Sequence, residues 1–80
     1  GVLVARQYVL IDYDVPVALL EEATKVTPGI ESPTVSPLQD PAWVAVRSMV
    51  RRVDTNHVMD ELHAVGARAI LVSAIHAARI

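Results

Sequence analysis

Residues 2–15, VLVARQYVLIDYDV, are rich in Val, Ile and Tyr and follow the two-residue period of a strand. From Tyr8 onward Asp12 and Asp14 point to one side and Ile11 and Tyr13 to the other. The period then changes. In DVPVALLEEATKVTPG, Leu19, Ala23 and Val26 fall on one helical face. Asp14 is expected to cap the first amides of this helix, Pro16 to sit in its first turn, and Thr27-Pro28-Gly29 to stop it. ESPTVSPL reads as a short strand whose Pro33 and Pro37 cannot donate to a ladder, which predicts an edge position. QDPA reads as a turn. WVAVRSMVRR is a second clear strand, with Val44, Val46, Ser48 and Val50 on one face and Trp43, Ala45, Arg47 and Met49 on the other. Asp54 is expected to cap a second helix, TNHVMDELHAVGA, with the apolar stripe Val58, Leu62 and Val65 and a stop at Gly66. ARAILVSAI closes the chain as a last strand.

The order strand, helix, strand, strand, helix, strand predicts two β-α-β crossovers. It gives an α+β, ferredoxin-like sandwich (the ACT/PII-like layout), a four-stranded antiparallel sheet with both helices on one face. The other face would carry Trp43, Ala45 and Met49 and would need a covering partner.

Composition sharpens that need. The 80 residues form one small domain, 52% hydrophobic with a mean hydropathy of +0.38. A chain this short buries only about 60% of its extended surface, so part of the apolar material is expected against another subunit. The net charge of −2 gives no footprint for nucleic acid, and the RNA-binding version of this fold needs stacking aromatics that the sequence does not supply. The absence of cysteine excludes disulfides and thiolate metal sites. Apolar runs such as 69–75 are too short to span a bilayer, and no signal peptide is visible. A cytoplasmic protein is expected. The chain does not begin with Met, which suggests a piece of a longer protein.

Few residues carry chemistry. His57 and His63 lie six apart on one helix, on different faces, and His76 has no carboxylate near it in sequence, so none is assigned a metal or a proton-transfer role. No serine sits in a nucleophile elbow, and no glycine-rich phosphate loop exists. Asp12 and Asp14 place two carboxylates on one side of a strand end. That pair suits a divalent ion or an ammonium group, or else Asp14 caps the helix and Asp12 faces water; a carboxylate with two oxygens can do both.

The segments DYDVP, TPGIESPTVSPL, WVAVRSMV, NHVMDEL and GARAILV resemble, in order and spacing, the C-terminal regulatory domain of long-form ATP phosphoribosyltransferase. The resemblance covers nearly the whole chain. Thr55 stands where an aliphatic residue is common, and the tail HAARI lacks a cysteine that some members carry. The resemblance implies a domain that binds L-histidine, the end product of the pathway this enzyme opens, and thereby inhibits it allosterically. It also implies hexamer assembly, and upstream catalytic domains with a Mg2+ requirement. The domain itself would hold no catalytic residue, metal or cofactor, and would be inactive as a transferase. By the same resemblance Asp14 holds the ligand's ammonium group and Thr34 meets its polar end. Met49 and Ala69 line the pocket, with Ser32 and Ile30 as neighbours. Small Ala69 leaves room that a larger side chain would fill.

Two other classes stay open at this stage: a structural oligomerisation module without a ligand, and a free-standing ACT-like sensor of another amino acid. On the histidine-binding reading the proline-rich stretch 27–47 is stiff backbone that lowers the ordering cost of binding; it also protects an edge strand, and the two roles are compatible.

Overall fold

The computed structural model describes residues 7–27 and 33–75. Their order is β1 (Tyr8–Pro16), a 3-10 turn (Val17–Leu19), α1 (Leu20–Val26), β2 (Thr34–Pro37), β3 (Trp43–Arg51), a second 3-10 turn (Arg52–Asp54), α2 (Thr55–Val65) and β4 (Arg68–Ala74). The strands form one antiparallel sheet in the order β2-β3-β1-β4. This is the α+β, ferredoxin-like sandwich that the alternating periods predict. The expected start of the first strand, at 2–6, lies outside the described residues.

Burial follows the alternation residue by residue. Val9, Ile11, Tyr13 and Val15 of β1 are at most 3% exposed, and Val46, Ser48 and Val50 of β3 are buried beside them. Ala23 of α1, Val58 and Leu62 of α2, and Ala67 join them in a single core cluster. Both helices therefore cover the same face of the sheet. Each large side chain fully buried there, such as Ile11 or Leu62, contributes roughly 1.5–3 kcal/mol from area removed from water.

One cluster of polar groups, from Tyr13, Thr27 and Ser48, enters this core and is fully satisfied. The Tyr13 hydroxyl and Thr27 Oγ1 are hydrogen-bonded at 2.9 Å, and Ser48 Oγ donates to the Thr27 carbonyl at 3.0 Å. The contacts fasten the C-terminal end of α1 to both central strands. Among the described residues no buried side-chain polar atom lacks a partner. Burial raises the Tyr13 phenol above its ordinary pKa, while the hydrogen bond to Thr27 pulls the other way.

Two expected helix caps are replaced by other devices. The first strand runs through Pro16, which is paired with Trp43, and Val17 N–H donates to the Ala42 carbonyl at 2.8 Å. The α-helix therefore starts only at Leu20, and Asp14 is a strand residue that caps nothing. Proline is tolerated at Pro16 because a strand end demands little of its missing N–H. Asp54 makes no side-chain cap either. A 3-10 turn precedes α2, and its Arg52 carbonyl accepts the Thr55 N–H and also Thr55 Oγ1 at 2.8 Å. The Val17 and Thr55 amides are thus taken by backbone carbonyls and not by an aspartate.

The other punctuation agrees with the expected pattern. Gly66 ends α2 at φ 125°, its N–H donating to the Leu62 and His63 carbonyls. Asp40 builds the turn before β3, accepting the Ala42 N–H on Oδ1 at 2.9 Å and the Trp43 N–H on its carbonyl at 3.1 Å. The short strand β2, closed by Pro37, lies on the sheet edge.

Candidate functional site: a hollow on the open face of the sheet

The face turned away from the helices is polar in its middle. Register alone sets two rows of side chains across the four strands. The first row is Thr34, Arg47, Asp12 and Leu71, and the second is Ser36, Ala45, Asp14 and Arg68. Directly opposed residues hold their Cβ atoms about 4.5–5.5 Å apart. Ala45 is the smallest member, and the space above it opens a hollow of about 400 Å³. Asp12, Asp14, Thr34, Ser36, Arg47 and Ala69 stand around it.

The β4 wall is irregular for a definite reason. From Asp12 to Asp14 the chain advances two residues, whereas the partners Leu71 and Arg68 are three apart. One extra residue therefore bulges out of β4, and Ala69 beside it adopts φ 53°. A bulge interrupts the ladder and re-aims side chains, which is why bulges recur beside binding sites. It also brings a residue with a minimal side chain to the rim of the hollow.

The two aspartates differ in commitment. Arg47 Nε donates to Asp12 Oδ1 at 2.8 Å. The Asp14 carboxylate has no hydrogen-bond or ion-pair partner among the described residues. Arg68, opposite Asp14 across the bulge, instead donates to the Ala67 carbonyl at 2.7 Å. The hollow thus offers one uncommitted carboxylate, one guanidinium and two hydroxyls. Such a set suits a small zwitterionic or ammonium-bearing ligand through charge-assisted hydrogen bonds.

Of the residues expected at the site, Asp14, Thr34 and Ala69 come together here from three strands. Met49 lies on the same face, opposite Leu10, but does not line the hollow. Ser32 and Ile30 lie outside the described residues. Ser36, Ala45 and Arg47 join the site without having been singled out for it. Alternation had put Ala45 and Arg47 on this face, but their convergence with Asp14 depends on strand register, which the pattern does not encode.

Among the described residues no group of three or more His, Asp or Glu is placed to hold an ion. His57 and His63 are exposed on α2, and His57 Nε2 lies 2.9 Å from Glu61 Oε1 one turn on. With Asp12 held by Arg47, the aspartate pair offers a single uncommitted carboxylate, well short of the six or so oxygens that Mg2+ prefers. His76 is outside the described residues. No helix among them is long and apolar enough to cross a membrane.

The family model described as HisG, C-terminal domain, matches residues 5–77. The chain belongs to this family. As a HisG C-terminal domain it has close relatives named ATP phosphoribosyltransferase. It is 69% identical to that of Arthrobacter sp. (strain FB24), 70% to that of Micrococcus luteus and 59% to that of Streptomyces coelicolor, each over 80 residues. In each case the whole chain aligns, and it spans about 28% of the relative's length.

Proposed function

We propose that this HisG C-terminal domain is the L-histidine-sensing regulatory part of an ATP phosphoribosyltransferase. That enzyme joins ATP to phosphoribosyl pyrophosphate in the first step of histidine biosynthesis. The observation that carries the reading is the meeting of Asp14, Thr34 and Ala69 around one hollow. An uncommitted carboxylate there provides for the α-ammonium group, hydroxyls provide for polar atoms, and the small residues Ala45 and Ala69 leave room for a side chain.

The active site for phosphoribosyl transfer, which releases pyrophosphate and uses Mg2+, belongs on this reading to other parts of the enzyme. The domain then acts by binding alone. For a bound amino acid to slow a distant reaction, it must favour one arrangement of subunits over another. Self-association, as in a hexamer, supplies such arrangements, and the open face is suited to it. Trp43, Leu10 and Met49 are only half-buried there, and Leu71 is 64% exposed. The edge of β4 carries no proline to discourage pairing, in contrast to β2. A cytoplasmic location accords with this role.

The test is inhibition. Transferase activity of the native enzyme, followed with rising L-histidine, should fall in a saturable way. The Asp14→Ala enzyme should keep its uninhibited rate and lose the response. Inhibition that survives Asp14→Ala would remove the hollow from the account.

A further inference from the structure

Arg47 occupies the middle of the first row, directly opposite Thr34 on one side and Asp12 on the other. Its side chain is 61% exposed, and only Nε is engaged, with Asp12 Oδ1 at 2.8 Å. Among the described residues its terminal nitrogens have no acceptor, so most of the guanidinium's donors remain available. Asp14 lies diagonal to it, one row along. Diagonal neighbours on adjacent strands lie about 7–8 Å apart, with their Cβ atoms somewhat closer. The ammonium and carboxylate groups of one α-amino acid fit between two opposite charges at that spacing. Thr34 and Ser36 border the same space on β2.

We infer that Arg47 is a specificity-determining residue of this hollow and binds the ligand's α-carboxylate while Asp14 binds its α-ammonium. The inference rests on the histidine-binding reading and adds to it the group that tells an amino acid from an amine. Asp12 neutralises Arg47 and fixes the plane of its guanidinium. The ligand's carboxylate then meets the terminal nitrogens, where the fork geometry permits two parallel hydrogen bonds. Asp12 competes with the ligand for the same cation. Neutralising Asp12 should therefore strengthen binding, and removing Arg47 should erase the preference for a free carboxylate.

The experiment is calorimetric titration of the native protein carrying this domain, in its natural assembly, with L-histidine and with L-histidinamide. The amide keeps the ammonium group and the imidazole but has no carboxylate charge. The wild type should bind L-histidine at least about tenfold more tightly than the amide, the scale of a hydrogen bond to a charged group. Arg47→Gln should bring L-histidine down to the amide's level and leave the amide's own affinity where it was. Asp12→Asn should tighten L-histidine several-fold and leave the amide unchanged. An Arg47→Gln protein that still prefers the acid, or that weakens both ligands equally as a merely structural residue would, overturns the inference and leaves the histidine reading standing. A wild type that binds neither ligand removes that reading, and this inference with it.

Discussion

Arg47 Nε lies 2.8 Å from Asp12 Oδ1, and this single contact gives two aspartates only two residues apart different roles. Asp12 is held within the protein, whereas Asp14 carries a carboxylate that no described residue claims. Asp14→Ala should accordingly change stability by no more than about 0.5 kcal/mol, as substitutions outside the core and its networks do. A helix-capping Asp14 would instead cost about 0.5–2 kcal/mol. Urea unfolding of the wild type and the variant separates the two expectations.

The buried phenol makes a prediction about alkaline pH. Tyr13 has a raised pKa in the folded protein, chiefly through burial. As pH climbs past about 10 the unfolded chain ionises first, so it binds fewer protons than the folded one. The contribution is fully present below that pH and is lost as pH rises toward the folded pKa. Tyr13→Phe should flatten this decline. At neutral pH it should cost about 1–2 kcal/mol, because the buried Thr27 hydroxyl loses its partner. Denaturant midpoints measured across pH 7 to about 11 for the two proteins test both statements.

The bulge at β4 can be probed in opposite directions. Ala69 at φ 53° pays a left-handed cost of about 1–2 kcal/mol. Ala69→Gly relieves it but adds about 0.4–1 kcal/mol of unfolded-chain entropy. The expected result is a protein about as stable as the wild type or more stable, with the hollow slightly wider at its rim. Ala69→Val places a β-branched residue in the same backbone conformation, with an expected loss of about 1–3 kcal/mol. It also fills the rim, so L-histidine affinity should drop even where the fold is retained. Thermal melts with and without ligand read both effects.

Gly66 is the second position where backbone freedom is required. Its φ of 125° is one that other residues rarely adopt, and a Cβ there would lie 2.9 Å from Leu19 Cδ1. The end of the Leu19 side chain can move, so the backbone carries most of the penalty. Gly66→Ala should lose about 1–3 kcal/mol in urea unfolding.

The sheet was legible because its alternation is nearly unbroken. Ile11 and Tyr13 had to face opposite to Asp12 and Asp14, and Val46 and Ser48 opposite to Arg47, whatever the neighbouring strands were. The caps were not legible, because Asp14 and Asp54 have the right chemistry for a cap and stand just ahead of helical spacing. Strand pairing through Pro16 and the 3-10 turn before Thr55 satisfied those backbone ends first. Motif resemblance picked out Asp14, Thr34, Met49 and Ala69 as site residues; the fold sets Asp14, Thr34 and Ala69 around one hollow and leaves Met49 outside its lining. Arg47, Ser36 and Ala45 were hidden because membership there follows from cross-strand register. A bulge that adds one residue to β4 leaves no period in a seven-residue strand.

On the proposed reading the hollow around Asp14 takes L-histidine. That reading is met most directly by calorimetric titration of the native protein with L-histidine, D-histidine and a panel of other L-amino acids, with the mass of the assembly measured on the same sample. The expected result is saturable binding of L-histidine alone, lost in an Asp14→Ala protein that folds and assembles like the wild type. No heat from the intact assembly, or equal binding by Asp14→Ala, would contradict it.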